Sequence, residues 1–385
     1  MIIGIPKEIK NHEYRVGATP EMVKLLKRAG HEVSVQAGAG SAIGFSDEAY
    51  LTAGAKIVKD AKTVYQSEMI IKVKEPQASE FPLLQEGQIL FCFLHLAPDP
   101  EQTKHLLERK VVGIAYETIT DKHDRLPLLF PMSEIAGRIA IQVGATALQL
   151  NGGGRGVLLG GVPGVAPAKV IVLGGGALGT QAARMALGLG ADVTIVDLNL
   201  TRLRELDAHF GPSLKTLYST PVAIEEAVQT ADLVVGGVLV PGKCAPKLVT
   251  RAMLKKMMPG SVIVDAAIDQ GGCTETSRPT SHSEPTYVVD GVIHYCVTNM
   301  PGACARTATL ALTNATLPYA MKIANEGYAQ AMQDDPGLML GLNVCLGHVT
   351  NRCVAQDLGY DYMSPQKLLS AGDDAESESL AYADA

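Results

Sequence analysis

The stretch Val170-Ile-Val-Leu-Gly-Gly-Gly-Ala-Leu-Gly179 constrains the fold more than any other part of the chain. Four apolar residues lead into Gly174, Gly176 and Gly179 in G-x-G-x-x-G spacing, and an alanine-rich run follows through Leu189. A strand, a tight turn and a helix satisfy all three parts at once. Gly174 permits the turn, Gly176 lets backbone approach a pyrophosphate, and Gly179 lets helix meet strand. The free N–H groups of the helix N-terminus then face the pyrophosphate. Asp197 closes the next apolar run, where a carboxylate accepts bonds from both ribose hydroxyls and repels a 2′-phosphate. NAD is therefore expected over NADP, with Arg202 nearby as a weak counterweight. The competing reading is a glycine-rich turn in some other α/β protein.

The rest of the chain repeats this β–α rhythm. Short apolar runs at Met1–Ile5, His31–Val35, Ile57, Met69–Val73, Ile89–Phe93 and Val111–Ile114 read as strands. Pro20–Ala29, Asp47–Ala53 and Pro100–Arg109 read as helices, the first with Thr19 as N-cap and Pro20 at N1. A second series begins at Lys169, with strands expected at Val170–Leu173, Val193–Val196, Thr216–Tyr218, Leu233–Val235, Ser261–Val264, Tyr287–Val289 and Val292–Tyr295. Ser133–Gln149 reads as a long helix before the glycine-rich Asn151–Gly156, and Thr309–Asn325 as a further one. The pattern predicts mostly parallel, helix-covered sheets. Residues from about Ala371 are small and acidic and are expected to be disordered.

Composition narrows the function. With 385 residues, 47% hydrophobic and 19% charged, the chain is no long disordered polymer. Its 33 Lys and Arg against 40 Asp and Glu give −7, with no basic stretch for nucleic acid. The seven cysteines are scattered without CxxC, which predicts a reducing cytoplasm, no disulfides and no zinc site. No apolar run of spanning length lacks Gly or Pro, so no membrane segment is expected.

Chemistry on a small acid calls for a cation on its carboxylate and an acid/base group at the reacting carbon. Lys7, Lys10, Arg15, Lys72 and Lys74 are cation candidates, and His95 follows an apolar strand. In parallel sheets the C-terminal strand ends line the ligand crevice, which places Lys74 and His95 together. Each has an ordinary alternative: an exposed arginine, a surface lysine, a structural histidine. Asp265 and Asp269 follow the strand at Ser261–Val264 and are expected near the nicotinamide, Asp269 with a helix cap or loop carboxylate as its alternative. Asn299 lies in a loop that could close the site or be an ordinary loop.

Together these residues resemble the bacterial L-alanine dehydrogenases of the alanine dehydrogenase/pyridine nucleotide transhydrogenase family, over about residues 1–370. The likeness runs through Ile3-Gly-Ile-Pro-Lys-Glu-Ile-Lys10, Glu13-Tyr-Arg-Val16, Lys72-Val-Lys-Glu-Pro76, Pro131-Met-Ser-Glu134, Gly160-Gly-Val-Pro-Gly164, the glycine motif, Ile268-Asp-Gln-Gly-Gly272, Glu275–Thr280 and Asn299-Met-Pro-Gly302. It implies reversible oxidative deamination, with L-alanine, NAD+ and water giving pyruvate, ammonia and NADH. It implies two Rossmann-like doubly wound domains with a cleft between them. The substrate domain would be 1–128 with 306–370, the NAD domain 129–305, and 371–385 the tail.

By the same resemblance Arg15 and Lys74 would hold the substrate carboxylate. His95 would be the general acid/base, and Asp269 would position water and contact the cofactor. Ser133, Gly174, Gly176, Ala177, Leu178, Gly179, Asp197, Arg202, Ser219, Val238, Leu239, Ala266, Ala267, Ile268, Arg278, Val297, Asn299 and Met300 would line the NAD site. A cytoplasmic homohexamer is implied, with no metal. The chain departs from the family pattern in Gly144–Leu150, which lacks an expected His-Tyr, and in Gly17-Ala18, where Ala-Leu is commoner. The alternatives are a lysine- or glycine-type dehydrogenase on the same scaffold and a non-catalytic, transhydrogenase-like NAD-binding subunit. Loss of Arg15, Lys74 or His95 would favour the latter, and all three are present.

Overall fold

In a computed structural model, described for residues 1–238 and 245–370, the chain divides into two compact units. One is Met1–Pro131 with the described part of Ala305–Ala385, the other Met132–Cys304. Leu239, Cys244 and the acidic tail lie outside the described residues.

The first unit carries strands β1 (Ile2–Ile5), β2 (Glu32–Gln36), β3 (Lys56–Val58), β4 (Met69–Ile71), β5 (Ile89–Cys92) and β6 (Val112–Ala115), and later β14 (Leu342–Cys345) and β15 (His348–Val349). The second carries β7 (Lys169–Leu173), β8 (Asp192–Asp197), β9 (Leu214–Tyr218), β10 (Leu233–Gly236), β11 (Val262–Asp265), β12 (Thr286–Val289) and β13 (Val292–Tyr295). The sheet orders are β15-β14-β6-β5-β4-β1-β2-β3 and β12-β13-β11-β10-β7-β8-β9.

The parallel strands of each sheet, taken in chain order, lie as 3-2-1-4-5-6, the doubly wound arrangement. Only β14, β15 and β12 run antiparallel to their neighbours. β4, β5, β6, β10, β11 and β13 are buried along their whole length, as is usual for predominantly apolar strands in the middle of parallel sheets. Each fully buried aliphatic side chain contributes about 1.5–3 kcal/mol.

Local signals act as expected at the first crossover. Thr19 caps the Pro20–Arg28 helix, its side chain accepting from the Met22 N–H, with Pro20 in the first turn. Several boundaries differ from the sequence reading. The strand at Met69–Val73 stops at Ile71 and that at Ile89–Phe93 stops at Cys92; one more pair of backbone bonds follows, Lys72 N–H to the Phe91 carbonyl and Phe93 N–H to the Val73 carbonyl, before the Val73 and Leu94 N–H groups turn to the Glu8 and Glu117 carboxylates. The two long helices occupy Phe130–Ala147 and Ala305–Glu326. The Pro221–Gln229 helix and strands β14 and β15 were not anticipated. Among the described residues, Cys92, Cys273, Cys296, Cys304, Cys345 and Cys353 are free, and no helix is long and apolar enough to cross a membrane.

Candidate active site and cofactor site

In each unit the strand order reverses between two adjacent strands, β1 and β4 or β7 and β10, and ligands bind beyond the C-terminal ends at such points. In the first unit Arg15 follows β1, Lys74 follows β4 and His95 follows β5. Arg15 is only 2% exposed. Its guanidinium grips Glu13 with two bonds, Nε to Oε1 at 2.7 Å and Nη2 to Oε2 at 2.6 Å. The neighbouring Val16 N–H donates to Thr309 Oγ1 of the Ala305–Glu326 helix. This loop lies flat on β4: a Cβ at Gly17 would stand 2.3 Å from the Ile71 carbonyl oxygen. At this departure from the family pattern a side chain would require the backbone to shift.

Lys74 is half-buried, and its backbone N–H donates to Glu8 Oε1 at 3.3 Å. Lys72, two residues earlier, is wholly buried between Glu80 (2.9 Å) and Glu8 (3.3 Å). Burial alone would push its ammonium pKa down, but the two carboxylates outweigh that and hold it above the usual lysine range. Lys72 thus leaves the set of exposed cation candidates.

His95 has φ +48°, a left-handed conformation uncommon outside glycine. Glu117 holds it there. The Leu94 N–H donates to both Glu117 oxygens at 3.2 Å, and the His95 N–H to Oε1 at 2.6 Å. The imidazole stacks parallel to Phe93, centroids 5.8 Å apart, with Nδ1 3.7 Å from Glu117 and its side chain 45% exposed. The strand end thus presents a fixed but accessible imidazole with a carboxylate beside it. Glu117 was not anticipated. It lies distant in sequence from His95, and no local motif marks it.

In the second unit the glycine loop behaves as its spacing requires. Gly174 has φ +97°. A Cβ at Gly179 would fall 1.8 Å from the Gly174 carbonyl oxygen, so helix and strand meet there without room for a side chain. A Cβ at Gly176 would meet no atom within 4 Å. Gly176 is the N-cap of the Ala177–Gly188 helix and gives it no side-chain cap. Open space therefore faces the donor end of that helix, at Ala177 and Leu178. A pyrophosphate fits there both sterically and electrostatically.

Asp197 ends β8. Its Oδ2 accepts the Gly175 N–H at 2.6 Å and Oδ1 the Asn199 N–H at 2.7 Å, so the carboxylate is fixed beside the loop. Arg202 places three of its five N–H groups on the loop and its flank, Nε on the Gly175 carbonyl, Nη2 on Thr180 and Nη1 on Glu205, each at 2.7 Å, and so braces the loop. Ser219 follows β9, its N–H bonded to the Asp197 carbonyl. The helix bearing Ser133 crosses the loop closely, since a Cβ at Gly137 would stand 2.1 Å from the Leu178 carbonyl. Val238 follows β10.

Asp265 closes β11. It is fully buried and accepts from the Ala267 and Thr274 N–H groups and, at 2.6 Å, from the Ser277 hydroxyl, so it ties the loop together. Ala266 continues the chain from β11 with its N–H on the Gly236 carbonyl. Ala267 and Ile268 are buried, whereas Asp269 is exposed. Arg278 lies over the Tyr287 ring at 4.0 Å. Val297 and Met300 are buried, and Asn299 between them has φ +60°, its carbonyl 3.2 Å from His282 Nε2.

Two family models match. The alanine dehydrogenase/PNT N-terminal domain covers residues 4–136, and the C-terminal domain of the same family covers 140–352. An alanine dehydrogenase of Halomonas elongata is 56% identical over 370 residues, 96% of this chain and 100% of that protein. A solved structure described as L-alanine dehydrogenase superposes with TM-score 0.91 at 52% identity, covering 93% of this chain and 99% of its own. A transhydrogenase structure from Sinorhizobium meliloti gives TM-score 0.77 at 27% identity, covering 91% of this chain and 99% of that one.

Proposed function

The chain belongs to the alanine dehydrogenase/PNT family, and from that premise we propose that it oxidatively deaminates L-alanine with NAD+. The balanced reaction takes L-alanine, NAD+ and water to pyruvate, ammonium, NADH and a proton, and it runs in both directions. What supports the reading is that Arg15, Lys74 and His95 lie on the segments that follow the neighbouring parallel strands β1, β4 and β5, in a chain 56% identical to an alanine dehydrogenase along nearly its whole length.

NAD+, when bound, would supply the hydride acceptor for the substrate Cα; Gly174–Gly179 and the helix beginning at Ala177 would hold its pyrophosphate, and Asp197 its ribose. Arg15 and Lys74 clamp the substrate carboxylate. The rigid Glu13 fork makes the arginine a fixed rather than a wandering charge. Such orientation matters, since misplacing the reacting carbon by about 1 Å costs on the order of 100-fold in rate. His95 takes a proton as water adds to the imine carbon and returns one as ammonia leaves, and Asp269 orients that water.

We infer a cytoplasmic homo-oligomer, in keeping with the hexamers of the family. The exposed Leu158, Val162 and Val165 of the second unit support association, being 63%, 54% and 63% exposed. An NADH absorbance assay across a panel of small amino acids, with NAD+ or NADP+, tests the function. L-alanine with NAD+ should give the highest kcat/KM, and absence of alanine-dependent NADH would overturn the assignment.

A further inference from the structure

Strand β4 ends at Ile71, yet backbone donors beyond it, at Lys72, Val73, Lys74 and Gln77, all find acceptors. The Lys72 N–H still reaches the Phe91 carbonyl at 3.1 Å. Beyond it the sheet supplies no acceptor for three backbone donors, and buried carboxylates take its place. Glu8 Oε1 accepts from Val73 at 2.7 Å and Lys74 at 3.3 Å, and Glu80 Oε2 accepts from Gln77 at 2.8 Å. Lys72 Nζ lies between the two carboxylates, and the Tyr65 hydroxyl adds a 2.8 Å bond to Glu80 Oε1. Lys72 and Tyr65 are 0% exposed, Glu80 3% and Glu8 7%.

A buried cluster of one cation and two carboxylates is a poor device for stability. Replacing such a set by apolar side chains of similar volume is commonly neutral or stabilising. What apolar packing cannot do is accept three N–H bonds. Glu8 also comes from the end of β1, so its carboxylate joins the two strand ends that carry Arg15 and Lys74. The Arg15 loop closes on the same spot, through Gly17 against the Ile71 carbonyl.

We propose that Glu8, held in place by Lys72, is a positioning residue for the substrate carboxylate: it fixes the Val73–Lys74 backbone from which the Lys74 side chain departs, and so sets the spacing of Lys74 relative to Arg15. The proposal rests on the reading of Lys74 and Arg15 as the carboxylate clamp.

Two substitutions separate positioning from charge balance. Glu8→Asp keeps the negative charge beside Lys72 but withdraws it from the amides by one methylene. Glu8→Gln keeps the reach and one acceptor oxygen but removes the charge. Positioning predicts that Glu8→Asp raises the KM for L-alanine and pyruvate at least tenfold, with Glu8→Gln within threefold of the parent and NADH affinity within twofold in both. Mere charge balance predicts the reverse order. A larger KM effect in Glu8→Gln than in Glu8→Asp, or KM values within twofold of the parent in both, overturns the proposal.

Lys74→Ala assayed alongside distinguishes the two layers. If it leaves the pyruvate KM unchanged, the clamp itself is wrong. If it raises that KM while Glu8→Asp does not, only the positioning role falls. Should Glu8→Asp fail to fold, native-state hydrogen exchange on the parent decides. Slow exchange of the Val73 and Lys74 amides is expected, and exchange at the rate of an open loop overturns the proposal.

Discussion

Replacing His95 by alanine should separate chemistry from scaffold unusually well, because the bonds that hold this strand end are made by the backbone. The Leu94 and His95 N–H groups donate to Glu117, and both survive any side-chain change at 95. What is lost is the stack on Phe93 and the 3.7 Å approach of Nδ1 to Glu117, from a side chain already 45% exposed. Alanine also tolerates φ +48° slightly less well than histidine. Together these amount to about 1 kcal/mol, or roughly 2–4 °C in Tm for a unit of this size. Loss of a positioned acid/base group costs ~10²–10⁴ in rate, equivalent to about 3–5 kcal/mol in the barrier. The expected result is kcat down by that factor, Tm nearly unchanged and NADH affinity retained. His95→Asn is the companion, since asparagine accepts a left-handed backbone but exchanges no proton near neutrality. It should match the parent in Tm and the alanine variant in turnover. Steady-state kinetics, NADH titration and thermal melts on the same preparations provide the assay. Turnover within threefold of the parent in either variant would refute the acid/base role.

Asp197→Gly should lower kcat/KM for NAD+ by about 10–100-fold, the cost of one or two charge-assisted bonds, and bring the NAD+/NADP+ preference from at least tenfold towards parity. Unchanged discrimination in a two-cofactor kinetic comparison would contradict this. Gly17→Ala drives a methyl group to 2.3 Å from a backbone oxygen that cannot rotate away, so the denaturation midpoint should fall by an amount equivalent to about 1–3 kcal/mol. A urea melt superimposable on the parent's would show that the loop yields freely. Burial pushes the Glu75 carboxyl up, but Lys74 and Lys10 outweigh it and hold its pKa below the usual 4.5. The unfolded chain therefore binds the proton first as pH falls, and the stabilisation, complete above about pH 4.5, is lost as pH drops through the lower folded value. Glu75→Gln should flatten the acid limb of a Tm–pH profile, and an unchanged slope between about pH 6 and 3 would exclude the contribution.

The parts of the fold legible in sequence are those whose cause is local. Thr19-Pro20 announces a helix start, and the apolar run before Gly174 announces a buried strand and turn. Thr220-Pro221 carries the same signal as Thr19-Pro20 and marks a helix that composition alone did not suggest. Strand β14 was hidden because Asn343 interrupts its apolar run. That amide donates to the distant Thr118 hydroxyl as well as to the nearby Gly341 carbonyl, and the first of these partners is invisible to a local reading. The positions of Lys74 and His95 just past strand ends follow from alternation and the rule for parallel sheets. The fates of Lys72 and Asp265 do not. A lysine on an apolar strand looks like its neighbour Lys74 until Glu8 and Glu80 arrive from other segments. Asp265 looks like Asp269 until Thr274 and Ser277 fold back onto it. In both cases the deciding partners are set by tertiary structure, which periodicity does not register.

The return of the chain to its first sheet has a consequence for biosynthesis. Strand β14 pairs with β6, but Leu342 leaves the ribosome roughly 230 residues after Ala115, which is about 10–45 s at ordinary translation speeds of ~5–20 residues per second. Throughout that interval β6 is an open edge of buried-type residues, and the second unit, uninterrupted in sequence, is completed first. The nascent protein therefore depends on its inserted unit emerging without capturing that edge, and on whatever shields the edge until the final strands are made.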